Sequence, residues 1–146
     1  MSRQVLYVSG SSTLSKLFEQ ALNPLGYDEL IYLPEFWRGM AELKKSEFGL
    51  IILHGPLPGL QIDDELVNSL REVSEAPVFL LGWDEDDPAG GYEGFEIVPS
   101  PVTAAALTQA VARYRKPREE NQLLSRLLAA PGFRTFSEAA MVHLLH

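Results

Sequence analysis

Cysteine is absent from this chain, which excludes a disulfide framework, a thiolate nucleophile and a thiolate-bound zinc. Histidine is scarce: three residues leave little with which to hold a metal, and neither a metal nor another cofactor is expected. Positive charge is in deficit, with 12 Lys and Arg against 20 Asp and Glu and a formal net charge of −8. Such a chain repels polyanions, so sequence-independent binding to DNA, RNA or an anionic membrane face is not expected of it alone. Long apolar runs are missing too. The first ten residues hold one short run, 5–8, ahead of Ser9, too little for a signal peptide. Nothing later approaches the roughly 20 apolar residues of a membrane span. A soluble, cytoplasmic protein is the expectation.

What is present fits one domain with a real core: 146 residues, 46% hydrophobic and 22% charged. Short apolar runs at 5–8, 30–33, 50–53, 78–81 and 95–98 alternate with helical patterns, a βαβ signature. Leu50, Ile51, Ile52 and Leu53 are continuously apolar, as a central strand buried on both faces requires. Leu14, Leu17, Phe18, Ala21, Leu22 and Leu25 recur at helical spacing behind Ser and Thr residues able to cap a helix. Phe36, Trp37, Met40, Ala41 and Leu43 predict a second helix, with Pro34 at its start and Lys44 and Lys45 at its end. Ile62, Leu66, Leu70 and Val73 predict a third, opened by Asp63, Asp64 and Glu65, and residues 104–114 a further one with Leu107, Val111 and Tyr114 on one stripe.

The connection 82–94 differs, with a proline, several glycines and almost no apolar period; it predicts a loop or at most one helical turn. Its acidic run, Asp84 to Asp87, reads as solvated loop rather than a docking site. Five parallel strands with helices between them describe an α/β, flavodoxin-like sheet of order 2-1-3-4-5, with helix four shortened or lost. Beyond Pro117, residues 118–130 form a helical pattern carrying Leu123, Leu124, Leu127 and Leu128, stopped at Pro131-Gly132. This divides the chain into a domain at 1–116, a linker helix at 117–132 and a tail, or the start of a following domain, at 133–146.

Ligands of such sheets sit at the carboxyl ends of the strands. Here those ends read Ser9-Gly10-Ser11-Ser12, His54-Gly55-Pro56, Gly82-Trp83 and Pro99-Ser100-Pro101. With Leu57-Pro58-Gly59 after the third run and Ala76-Pro77-Val78 entering the fourth, residues 3 to about 115 resemble the receiver domains of two-component response regulators (CheY-like). The resemblance implies an acidic pair, a phosphoaccepting Asp, a hydroxyl and a Lys at the strand ends. Carboxylates would gather Mg²⁺ through oxygen ligands, and metal and lysine would offset charge on the transferring phosphoryl group. This sequence departs at each position: Ser9 and Gly10 stand for the pair, His54 for the acceptor, Gly82 for the hydroxyl and Ser100 for the lysine. A degenerate receiver, unable to run aspartyl phosphorylation and not an enzyme, is expected. His54 reads as a strand-end histidine hydrogen-bonded to nearby backbone rather than a phosphohistidine or metal ligand, because no carboxylate or second histidine adjoins it in sequence. The hydroxyls of 9–13 read as helix caps, with anion binding as the alternative.

Leu22-Asn23-Pro24-Leu25-Gly26, Phe36-Trp37-Arg38 and Val98-Pro99-Ser100-Pro101 are similar to the N-terminal domain of FleQ- and FlrA-type flagellar regulators, which are σ54-dependent transcription activators. In the tail, Phe133-Arg134-Thr135 and Ser137 to Met141 resemble that group's linker and the opening of its ATPase. The resemblance implies a regulatory module, complete or cut from a longer activator, that works by dimer contacts or by control of an attached or partner ATPase. It also implies that Arg134 is the one residue able to share in binding a cyclic dinucleotide, and then only with the ATPase. No P-loop pattern occurs. Self-association or a transcription-regulatory partner is expected through Leu107, Val111 and Tyr114 or through the leucines at 123, 124, 127 and 128, although those leucines equally fit packing on their own domain. The alternative on the same topology is a flavodoxin-like protein binding phosphate or FMN, with Ser9 to Ser15 as phosphate loop and Trp83 and Tyr92 flanking the flavin. A hydrolase or transferase ranks last, since no nucleophile elbow, H-E-x-x-H or paired carboxylates on one helix face appear.

Overall fold

The computed structural model describes residues 3–55, 57 and 59–115. Five strands, β1 (Gln4–Ser9), β2 (Glu29–Leu33), β3 (Leu50–His54), β4 (Val78–Leu81) and β5 (Phe95–Val98), form one sheet. Every pairing is parallel and the order is β2-β1-β3-β4-β5, the flavodoxin-like, CheY-like arrangement. Each strand starts and stops within one residue of its expected run. Leu50, Ile51, Ile52 and Leu53 of β3 are all 0% exposed, because both faces of the sheet are covered. On one face Leu6, Val8, Ile51, Leu53, Val78 and Leu80 join Leu43, Leu70 and Ala89 in a single cluster. On the other, Tyr7 meets Phe18 edge to face with ring centroids 5.5 Å apart. Burying each such large side chain contributes about 2 kcal/mol, so the continuous apolar run is enforced from two sides at once.

Three helices cross over: α1 (Ser15–Leu22), α2 (Phe36–Lys45) and α3 (Asp64–Val73). The expected first helix is shorter than its pattern. Asn23–Leu25 tighten into a 3-10 turn, because Pro24 has no N–H to continue the ladder. Its Ser and Thr residues do not cap it either; the N-cap position is Leu14, with no side-chain bond. Ser11 Oγ instead accepts from Thr13 N and pairs with the Thr13 hydroxyl, so these groups stitch the loop to itself. On α2, Phe36, Met40 and Leu43 face the core, whereas Trp37, one position round the helix, is 63% exposed and leaves the expected stripe. α3 is capped as read: Asp63 accepts from Leu66 N at 2.9 Å.

Between β4 and β5 the chain makes only a 3-10 turn, Pro88–Gly91, the loop or single turn that its composition predicts. Asp87 accepts from Ala89 N at 2.9 Å and opens it. Ala89 is buried, and a Cβ on Gly90 would stand 2.8 Å from Ile97 Cδ1, so the turn lies directly on β5. Arg71 of α3 holds the neighbouring segment by donating to Ala76 O at 2.7 Å and Ser74 O at 3.2 Å, with its guanidinium 5.2 Å from the Phe95 ring centroid.

After β5 residues 104–110 are helical, with Leu107 and Ala110 buried. Two compact units are distinguished, residues 1–110 and 111–146; in the second, 111–115 are described and are helical. The expected linker helix and tail lie outside the described residues. No helix among the described residues is long and apolar enough to cross a membrane. Asp63→Ala should lower stability by about 1 kcal/mol in urea unfolding, because Leu66 N loses its acceptor. Thr13→Ala should cost less than about 0.5 kcal/mol, since its hydroxyl serves only the loop.

Candidate functional site

Register assembles the site. Ser9 of β1 pairs with His54 of β3, His54 with Leu81 of β4, and Leu81 with Val98 of β5. The strands therefore end in one row, and the residues that follow form a rim at the carboxyl edge of the sheet. Because side chains alternate in facing, Tyr7, Ser9 and His54 share one side.

Among the described residues the His54 ring bonds to a side chain, not to the backbone expected. Its Nδ1 lies 2.8 Å from the Tyr7 hydroxyl, on the neighbouring strand and 47 positions away in sequence. Tyr7 is 1% exposed, and burial raises its pKa, so it keeps its proton. We assign the phenol as donor, since it gives its proton to a basic ring nitrogen more readily than it accepts one. A neutral imidazole then carries its hydrogen on Nε2. The ring is half-buried beside Phe18, with centroids 6.1 Å apart, and burial lowers its pKa, so His54 is neutral at pH 7. Behind it the Ser9 carbonyl accepts from the Tyr32 hydroxyl at 2.9 Å.

In front of His54 opens a pocket of about 590 Å³. His54, Gly82 and Ser100 line it, so three of the five expected positions come together there; Ser9 and Gly10 do not line it. Gly82 has φ +86°, a conformation that disfavours any side chain, a hydroxyl-bearing one included. The Trp83 ring forms one wall and packs on Gly55, where an added Cβ would stand 3.2 Å from Trp83 Cζ3. Asp84 and Asp87 line the pocket as well. The acidic run is a solvated loop as expected, with Asp84, Glu85 and Asp86 exposed, but it also borders the pocket; the signal for that was Asp87-Pro88, the start of a capped turn. Among the described residues no three His, Asp or Glu side chains converge as a metal site would need.

Other expectations change. Leu107 and Val111 are 0% and 1% exposed, so they belong to buried rows, not to a contact surface. An amphipathic stripe looks the same in sequence whether it faces a core or a partner. Tyr114 is partly buried. Leu123, Leu124, Leu127, Leu128 and Arg134 lie outside the described residues. Tyr92 gives its hydroxyl to Asp64 Oδ1 at 2.6 Å and packs on Phe95; it is not part of the pocket wall, so it does not pair with Trp83 across a flat ring.

No family model matches the sequence, and no curated protein matches it. Solved structures do. The chemotaxis response regulator CheY4 of Vibrio cholerae shares 20% identity and a TM-score of 0.59 over 77% of this chain and 98% of that one. A response regulator receiver protein from Sinorhizobium medicae gives 18%, 0.61, 77% and 93% on the same measures. A receiver domain protein from Bacillus halodurans gives 19%, 0.57, 77% and 97%. The chain has the receiver-domain fold.

At the strand ends of this receiver fold, the side chain closing β3 is thus an imidazole held by a phenol. In the unfolded chain His54 titrates near 6.5, and in the folded chain below that, so the unfolded state binds more protons between the two values. The His54 contribution to stability is therefore complete above pH 6.5 and is lost as pH falls through the folded value. The His54 signal in proton NMR should titrate with a midpoint under 6.5. In His54→Gln the fall in unfolding free energy between pH 7 and pH 5 should be smaller than in the parent.

Proposed function

We propose that this chain is a regulatory module of the receiver fold that takes no phosphoryl group on a strand-end aspartate and acts through protein contacts. The observation that carries the reading is the end of β3: the group there is His54, neutral and bonded to Tyr7, where aspartyl phosphorylation needs a carboxylate. The neighbouring positions agree. Ser9 and Gly10 at the end of β1 supply no carboxylate for Mg²⁺, Gly82 supplies no hydroxyl, and Ser100 supplies no ammonium to offset phosphoryl charge.

Within that reading, the FleQ- and FlrA-like segments support a finer proposal, control of a σ54-activator ATPase. For the contact the reading takes Leu123, Leu124, Leu127 and Leu128, whose spacing suits helix pairing, since Leu107 and Val111 of the other candidate stripe are buried and Tyr114 is partly so.

The fold supplies its own reporter. The chain has two tryptophans, and Trp37→Phe removes the exposed one, leaving Trp83 at the pocket. Adding Mg²⁺ with beryllofluoride or acetyl phosphate should leave Trp83 emission and the elution volume unchanged; a Mg²⁺-dependent shift in either overturns the reading. For the contact row, Leu124→Glu with Leu128→Glu should convert a dimer to a monomer by light scattering, and an unchanged mass removes that row as the contact. ATP hydrolysis by such an activator's ATPase should change when the chain is titrated onto it, and an unaltered rate removes the finer proposal.

A further inference from the structure

The pocket holds chemistry that the protein-contact reading leaves unused. Among the described residues its charged lining is of one sign: Asp84 and Asp87 border it, and neither Lys nor Arg does. His54 adds no positive charge, being half-buried and bonded through Nδ1 to Tyr7. Set in a chain of net charge −8, the pocket repels phosphate and other anions. It equally lacks the convergence a metal ion demands, since among the described residues His54, Asp84 and Asp87 do not gather as a three-ligand set. Negative charge spread along one wall matches a charge that is itself spread over several atoms.

The opposite requirement, an apolar surface for the body of a ligand, is met by Trp83. Its ring is fixed by contact with Gly55 and by packing against the core cluster. Indole is the aromatic side chain best suited to hold a cation against its face. About 590 Å³ falls in the size range of small-molecule pockets. Ser100 and His54 are the other polar residues that border the pocket.

We propose that this strand-end pocket binds a small organic cation, an ammonium or guanidinium compound, held between the Asp84 and Asp87 carboxylates and the Trp83 ring. The site does not depend on the protein-contact reading, and the two fail on different measurements. The test uses the full chain carrying Trp37→Phe, with Trp83 emission followed while choline or agmatine is added at constant ionic strength. A saturable change below about 10 mM with at least one of them is expected. Asp84→Asn should weaken it at least tenfold while Asp84→Glu retains it. Asp84 serves the local turn only through its carbonyl, which accepts from Asp87 N, so both variants keep the loop; an unchanged circular dichroism spectrum verifies this. No saturable response to either cation, an equal response in Asp84→Asn, or a saturable response to inorganic phosphate overturns the proposal.

Discussion

A strand with no exposed face constrains everything around it. β3 is covered on both sides, so its neighbours must be parallel strands reached by crossovers that lay helices on each face. Parallel strands all end at the same edge, and loops able to carry chemistry collect there whether or not any chemistry is performed. The row formed by Ser9, His54, Leu81 and Val98 is a consequence of that burial. A polar substitution at Ile51 or Ile52 would disturb the site by way of register before any strand-end residue changed.

The connection from β4 to β5 shows how this fold tolerates a missing helix. A helix would cover the edge of the sheet with an apolar stripe, whereas the 3-10 turn covers it with Ala89 and the bare backbone of Gly90. Directed bonds hold this part of the structure: Arg71 to the Ala76 and Ser74 carbonyls, Ala89 N to Asp87, and Tyr92 to Asp64. Holding the turn down also fixes the residues before it. Asp84 and Asp87 border the pocket because the segment they belong to is short and anchored.

The strands, the crossovers, the weak fourth connection and the cap of α3 were all legible in the sequence, because each rests on local period or on a residue within four positions of its partner. What was not legible rests on distance or on facing. Tyr7 and His54 meet across strands, and nothing near either residue announces the other. Leu107 and Val111 carry a stripe that reads alike for core and for partner, and only burial separates the two. Trp37 sits one step round α2 from its apolar row, a difference of about 100° that composition cannot resolve. Ser11 and Thr13 had the chemistry of caps but bonded within their own loop, since short hydroxyl side chains compete among several nearby donors.

The residues at the strand ends are physically coupled, so the group at position 54 has to suit its neighbours. An aspartate at position 54 would stand half-buried beside Phe18 and the Tyr7 hydroxyl, with Ser9, Gly10 and Ser100 supplying neither a metal nor an ammonium. A buried carboxylate without a cation is costly to keep ionised. A neutral imidazole in the same place has its Nδ1 satisfied by Tyr7 and carries no charge to desolvate. With no Lys or Arg bordering the pocket among the described residues, neutrality at position 54 is the stable choice. The negative charge at this edge comes from Asp84 and Asp87, which border the pocket.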